Sequence, residues 1–488
     1  MFFNSLHFLL FFPLVSAAYF LLPHRLRWVF LLLASYYFYM AWQPAYALLI
    51  LFTTAVSYGT ALLMAREKRQ EHRRWYLLGA LVVCLGILGI FKYFNFFSTS
   101  LQSVSAFLGV SWDSPFLHLL LPIGVSFYTF QTLSYVIDVY RGVQVPERHF
   151  GIYALYVSFF PQLVAGPIER PGNLLPQFRE RFSFEPGRVT DGLKLMLWGF
   201  FKKVVIADNL AVAVDTVYGD PTRFTGLPLI VATVFFAFQI YCDFSGYSDI
   251  AIGSAQVMGF KLVDNFNRPY AARSIADFWR RWHISLSSWF RDYVYIPLGG
   301  NRVPPLRHGL NVLIVFLLSG LWHGAAWTFV VWGGLHGVYL VVGNLTHSLR
   351  AQTASALGLT RFPHILALWQ IACTFLLVSV SWVFFRAASF GDALYILSHF
   401  TTDLWAQLTH FSLLKEVLGN LSMSKTLFIG ALLSIIFLEE MHRLQRHEGM
   451  RHMFRRQPVW LRWSVFYFLL FAVLFAGRWG SQFIYFQF

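Results

Sequence analysis

Charge is scarce in this chain. Of 488 residues, only 12% are Asp, Glu, Lys or Arg, about half the share of an ordinary soluble domain. With 57% hydrophobic residues and a mean hydropathy of +0.55, a soluble globular fold is excluded. Cysteine is scarce as well. Cys84, Cys242 and Cys373 each lie in or beside an apolar stretch, show no CxxC spacing and cannot all pair, which speaks against a disulfide framework or a cysteine zinc site. The chain also lacks a GxSxG elbow, a Walker A loop, a GxGxxG fingerprint and an HExxH pair, so no familiar hydrolase, nucleotide or metalloprotease motif is on offer. No internal repeat or low-complexity segment is apparent, and the loops are too short to hold a soluble domain.

What is present is a series of apolar runs separated by short basic loops. The net charge of +15 is concentrated in those loops, where the positive-inside rule explains it more simply than nucleic acid does. The chain therefore reads as an all-α polytopic membrane protein whose first partner is the lipid bilayer, with no nucleic acid. Phe2 to Leu22 is expected to be a retained span, because no basic residue precedes it and Ser16-Ala17-Ala18 is a weak cleavage signal. Trp28 to Trp42 and Ala45 to Met64 read as a helical pair, and the basic loop Arg66 to Arg74 after them marks the cytoplasm. Trp75 to Tyr93 crosses outward, Ser98 to Ser114 lies outside and Phe116 to Val136 crosses back.

Phe150 to Val164 is short for a span and ends in the proline-broken Ala165 to Pro171, so a re-entrant segment is expected. Leu195 to Val214 crosses outward, with Lys202 and Lys203 placed to snorkel, and Leu227 to Cys242 starts the return. Asp243 and Asp249 follow in a dense polar cluster, but without a neighbouring His or carboxylate at a familiar metal spacing. Lys261 to Arg307 and Glu439 to Arg462 are two further basic, cytoplasmic regions. Leu366 to Phe385, Thr426 to Leu438 and Trp463 to Gly477 supply later crossings, with Ser389 to Ser424 outside.

Two stretches carry ionisable rings. Leu310 to Val342 contains no Lys, Arg, Asp or Glu, is too long for one crossing of about 20 residues, and reads as a hairpin or re-entrant pair. It holds His323 near the deep turn, between Gly320 and Gly324 at a spacing that lets a helix or substrate approach closely. An ionisable side chain at membrane depth is a functional candidate by default, and a satisfied core histidine is the plainer alternative. His336, 13 residues further on, reads as structural. The second stretch, Phe278 to Tyr293, read as one helix, sets Arg280, His283, Ser287 and Arg291 on one face. An interfacial helix with snorkelling arginines is one reading; a wall that pairs with the oxygens of an anionic ligand is the other.

The blocks Trp279-Arg280-Arg281-Trp282-His283-Ile284-Ser285-Leu286-Ser287 and Gly320-Leu321-Trp322-His323-Gly324-Ala325-Ala326-Trp327 resemble the two signature histidine blocks of the membrane-bound O-acyltransferase (MBOAT) superfamily. Within it the chain resembles the bacterial alginate O-acetyltransferase branch, related to the teichoic-acid D-alanyl transfer proteins. Phe159 to Gln162, Ala165 to Ile168, Asp243 to Asp249, Asn265 to Tyr270 and the ending Phe483 to Phe488 extend the match nearly end to end. The resemblance implies one integral-membrane acyltransferase domain over 1–488, with N-terminal helices 1–140, a catalytic core 150–345 and C-terminal helices 364–488. Its helices, roughly ten to thirteen spanning or re-entrant ones, would ring a central funnel.

It further implies His323 as the catalytic residue and His283 as a second functional histidine. Arg280, Ser287, Arg291, Trp322 and Asn267 fall on the side of an acyl donor. No permanently bound cofactor and no metal is expected; acetyl-CoA or another acyl thioester is the donor substrate. The acceptor side implies an extracytoplasmic protein that accepts or passes on the acetyl group, and indirectly a polysaccharide, in a bacterial inner membrane. From the residues alone, a proton-coupled transporter or flippase of an anionic or lipid-linked solute stays open, as does a scaffold subunit.

Overall fold

The computed structural model describes residues 1–112, 115–444 and 457–484. Arg446, Arg451, Arg455 and Arg456 of the third basic region, and Tyr485 to Phe488 of the terminal motif, lie outside the described residues. Among the described residues all regular structure is helical. That follows from the sequence, since in hydrocarbon a backbone must satisfy its own hydrogen bonds within each segment. Two compact units form, one from Met1–Met196 with Ile250–Asp264 and one from Leu197–Asp249 with Asn265 onward.

The first unit holds α1 (Leu6–Leu21), α2 (His24–Met40), α3 (Tyr46–Arg66), α4 (Gln70–Phe107), α5 (Val125–Tyr140), α6 (Phe150–Ser158), α7 (Phe160–Leu163), α8 (Pro171–Gln177) and most of α9 (Pro186–Phe200). α4 runs past the Tyr93 end expected from hydropathy, through a π-helical turn at Gly89–Tyr93. The extension carries side chains that serve a distant stretch of backbone. Both amide atoms of Asn95 bond the backbone of Leu117 at 2.9 Å, and Ser98 Oγ donates to Pro115 O at 2.7 Å. Those bonds satisfy the irregular segment 115–117, and Pro122 lies beyond it. The crossing expected from Phe116 is therefore helical only from Val125. α6 to α8 are short and buried, and the Glu169 carboxylate between α7 and α8 accepts from Val263 N and Asn173 Nδ2, each at 2.6 Å.

The second unit holds the π-helical turn Phe201–Ala207, α10 (Asp208–Gly219), most of α11 (Leu227–Met258), α12 (Ile275–Trp279), α13 (Ile284–Phe290), α14 (Pro305–His323), α15 (Trp327–Leu345), α16 (His347–Ala356) and α17 (Pro363–Arg386). Short helices, Lys425–Leu444 and Val459–Ala476 follow. Seven helices among the described residues have the length and apolarity to cross a bilayer: α3, α4, α11, α14, α15, α17 and Val459–Ala476. The chain is a multi-pass membrane protein. In α11, 72% of the apolar window is buried inside the protein, against 6% in Val459–Ala476, so α11 is the core helix and its polar side chains face protein rather than lipid.

The run Leu310 to Val342 is a helical hairpin, α14 and α15 joined at Gly324 to Ala326. Its arms touch backbone to backbone. A Cβ on Gly320 would lie 2.2 Å from Phe329 O, and one on Gly333 would lie 2.2 Å from Phe316 O. Small residues thus set the separation of the arms and bring the His323 end of α14 against the first turns of α15. Gly320→Ala is expected to cost about 1–3 kcal/mol through overpacking, read as a lowered unfolding temperature in detergent. Gly334→Ala, whose Cβ would meet only Leu317 Cδ2 at 3.5 Å, should leave that temperature unchanged; equal losses would refute the close-approach reading.

Candidate functional site: two buried imidazoles

His323 is the last residue of α14, because Gly324 turns to extended backbone (φ −157°, ψ 147°). His323 is 3% exposed, and His283 is 0% exposed. The two ring centroids are 6.2 Å apart. The stretch Phe278 to Tyr293, expected as one helix, is broken at its centre: His283 has φ 42° and ψ 55° between α12 and α13. This left-handed conformation is costly for most side chains, although His, Asn and Asp tolerate it better than others.

The surrounding hydrogen bonds over-determine the break. Asn265 O accepts from Ile284 N at 2.9 Å, and Asn265 Oδ1 accepts from Ser285 N at 3.2 Å and Ser285 Oγ at 2.9 Å. Asn265 Nδ2 donates to Ser248 Oγ of α11 at 3.3 Å, and Asn267 N donates to Arg281 O at 2.9 Å. One buried asparagine therefore ties the segment after His283 to the core helix. The shared helical face is lost as a result: Arg280 and Arg291 are exposed, and Arg291 pairs with Asp292 at 2.8 Å. Ser287 is half-buried and donates to Trp282 O at 3.2 Å. Asn267 is exposed, with its Oδ1 accepting from Arg268 Nε at 3.4 Å. Trp322, in contrast, lies with the rings, 4.9 Å from His323 and 5.8 Å from His283.

Aromatic rings complete the enclosure. Phe244 meets His283 edge-on at 4.6 Å, while Trp332 and Phe385 flank His323 at 4.9 and 5.5 Å. Burial pulls the His283 imidazole down to about 3, so it is neutral at physiological pH. A neutral ring keeps a lone pair for a proton, which a general base requires. His336 is settled differently. Trp279 Nε1 can only donate, so His336 Nδ1 accepts from it at 3.2 Å, and Nε2 carries the proton and donates to Ser381 Oγ at 2.8 Å. Both nitrogens are committed, and His336 is a bridge between α12, α15 and α17.

Sequence reasoning missed a second polar layer. Lys203 Nζ lies 2.5 Å from Asp243 and 2.8 Å from Asp208, and Lys202 Nζ lies 2.6 Å from Asp249. Both lysines are 3% exposed, so they are ion-paired inside the protein and do not snorkel. Asp243 also accepts from Ile484 N at 2.7 Å, and Lys203 donates to Gln482 O at 3.2 Å. The end of the described chain is thereby held against α11, with Phe483 5.6 Å from Phe244. The spacing Lys202-Lys203 and Asp243 to Asp249 was visible, but nothing in it said which pairs would form. Among the described residues no three His, Cys, Asp or Glu side chains gather as a metal group.

A helical membrane protein with two imidazoles enclosed side by side is the class this geometry defines. Residues 148–390 match the model of MBOAT, the membrane-bound O-acyltransferase family. The chain is 43% identical over 390 residues to the probable alginate O-acetylase AlgI of Azotobacter vinelandii, covering 79% of this chain and 74% of that one. It is 38% identical over 412 residues to the peptidoglycan O-acetyltransferase of Helicobacter pylori, covering 79% and 75%. A shorter match, 30% over 239 residues, covers 46% of this chain and 56% of the teichoic acid D-alanyltransferase of Streptococcus thermophilus. The chain belongs to the membrane-bound O-acyltransferase family and is an O-acyltransferase, which removes the transporter and scaffold alternatives.

Asn265 and Asn267 separate position from proximity. Asn265→Ala should cost about 2–4 kcal/mol, because buried Ser285 and Ser248 groups lose their partner, and should lower transfer activity with it. Asn267→Ala should stay within about 0.5 kcal/mol of wild type. Thermal unfolding of the two purified variants is the measurement, and equal stabilities would refute the role given to Asn265.

Proposed function

We propose that this protein transfers an acetyl group from a cytoplasmic acyl thioester, acetyl-CoA in the first instance, to an extracytoplasmic hydroxyl. The end product is an O-acetylated polysaccharide, alginate or another exopolysaccharide or cell-wall glycan, in a bacterial inner membrane. The names of the two relatives matched over most of their length support the acetyl group and the glycan class. The observation that carries the chemistry is the pair of buried rings 6.2 Å apart, His323 at the end of α14 and His283 between α12 and α13.

His323 acts as the base. It takes the proton of the acceptor hydroxyl as that oxygen attacks the thioester carbonyl carbon. The new C–O bond forms, the C–S bond breaks, and the proton passes to the departing thiolate, so the imidazole returns to its neutral form. His283 orders the donor beside it. Trp322, in ring contact with both histidines, lines the path of the acyl group. Arg280 and Arg291 are exposed and present guanidinium forks to the anionic part of the donor, and Ser287 and Asn267 supply further polar contacts to it. A separate extracytoplasmic protein receives the acetyl group and hands it to the glycan.

Labelled acetyl-CoA supplied to proteoliposomes, with candidate acceptor protein and glycan on the other side, tests this reading. Wild type should label the acceptor. His323→Ala should lower labelling by about 10²- to 10⁴-fold while the protein remains monodisperse. Undiminished labelling by the variant would overturn the role of His323.

A further inference from the structure

The aromatic wall behind His323 contains hydrogen-bond donors that the protein itself leaves unused. Trp332 and Trp382 are both 0% exposed, and neither indole N–H has an acceptor. Their rings stack on each other, with centroids 5.7 Å apart and planes 18° apart. Trp332 meets His323 edge-on at 4.9 Å, and Phe385 packs against Trp332, Trp382 and His323. A third such N–H, that of Trp282, belongs to the same cluster, with its ring 5.0 Å from that of Trp382. The N–H of a buried indole is normally paired. The neighbouring Trp279 shows what this fold does when an indole is purely structural: its N–H is given the acceptor His336 Nδ1.

An indole can donate and cannot accept. Unpaired donors on two stacked rings, one of them in contact with His323, therefore fit a ligand that brings acceptors alone. A thioester carbonyl oxygen is such an acceptor, and it gains negative charge when the carbonyl carbon is attacked. We propose that the N–H groups of Trp332 and Trp382 receive the carbonyl oxygen of the acyl donor beside His323 and stabilise its developing charge. In the step already described, the acceptor oxygen bonds to the carbonyl carbon and His323 holds its proton. The carbonyl electron pair moves onto oxygen, where the two N–H groups bind it; it returns as the C–S bond breaks and the thiolate takes the proton. Donors fixed in a water-excluded wall do this without reorganising, which is where such stabilisation is largest.

His336 is what fixes the wall. Its ring packs 5.1 Å from Trp332, and its committed tautomer joins α12 to α17, the helix of Trp382 and Phe385. His336 positions the wall and takes no part in the proton transfer, since neither nitrogen is available.

This inference rests on the acyltransferase reading, and the test separates the two. Trp332→Phe and Trp382→Phe each remove an N–H while keeping an aromatic ring. Each should lower kcat by roughly 10- to 100-fold with KM for the donor thioester within about threefold of wild type. Two analogues of acetyl-CoA then report on the carbonyl directly: the ketone in which CH2 replaces sulfur, and the thioether in which CH2 replaces the carbonyl. Wild type should bind the ketone more tightly, and each variant should lose about tenfold of that preference while binding the thioether as before, which also shows that the variant is folded. Intact transfer by wild type with an unchanged ketone preference in both variants would overturn the assignment of the N–H groups. Absence of transfer by wild type with any thioester would overturn the acyltransferase reading instead.

Discussion

His283 reaches His323 because the backbone at residue 283 turns left-handed, and much of the site depends on that turn. A right-handed residue there would continue α12 into α13 and carry the imidazole round the helix with Arg280 and Ser287. The strain belongs to the class that persists only when neighbours over-determine it. Here the neighbours are the 265–267 segment, whose backbone bonds both sides of the turn, and the Asn265 amide, which reaches Ser285 and α11 together. The His283 ring is thus placed by an asparagine that bonds the segment after it and α11. His323 needs no such device. It is delivered by a helix end, and two glycines let α14 and α15 approach closely beside it.

The same constraint, that a polar group inside a membrane helix bundle must find its partner in the protein, sorts the remaining buried polar residues. Lys202 and Lys203 stand on a π-helical turn and each meets an α11 carboxylate. Charge pairing at such depth is not by itself a source of stability, because desolvation offsets the attraction. Its structural effect here is specific: Asp243 and Lys203 also take the backbone of Ile484 and Gln482. The pair thereby holds the described end of the chain one ring, Phe244, away from His283. Asp249 and Asp243 are each paired in this way with a lysine ammonium group.

Much of this was legible in the residues. Helical class and membrane depth follow from the scarcity of charge, and the hairpin from the uncharged run Leu310 to Val342, which is too long for one crossing. The two histidines stood out through their flanking motifs. What could not be read was register. Periodicity in Phe278 to Tyr293 predicts one helix, and no local propensity of His283 announces a left-handed residue; the cause lies some twenty residues away at Asn265. Hydropathy likewise ends the fourth helix near Tyr93, because it does not see that Asn95 and Ser98 serve the chain at 115–117. It sets Lys202 and Lys203 at the interface for the same reason, their partners being distant in sequence.

The site that results is sharply divided in its chemistry. On one side stand two imidazoles, of which His283 is neutral by burial; behind His323 stands a layer of indoles that offers donors and no acceptors. A solvated pocket would fill such donors with water. A closed aromatic wall leaves them without an acceptor, and leaving an indole N–H unpaired in the interior costs about 1–3 kcal/mol. The fold had a way to avoid that cost, since it pairs Trp279 with His336 in the adjoining layer. In the roles proposed for them, a base that accepts protons and a wall that donates hydrogen bonds are complementary to one event, the attack of a hydroxyl on a carbonyl, in which proton loss and oxyanion formation happen together.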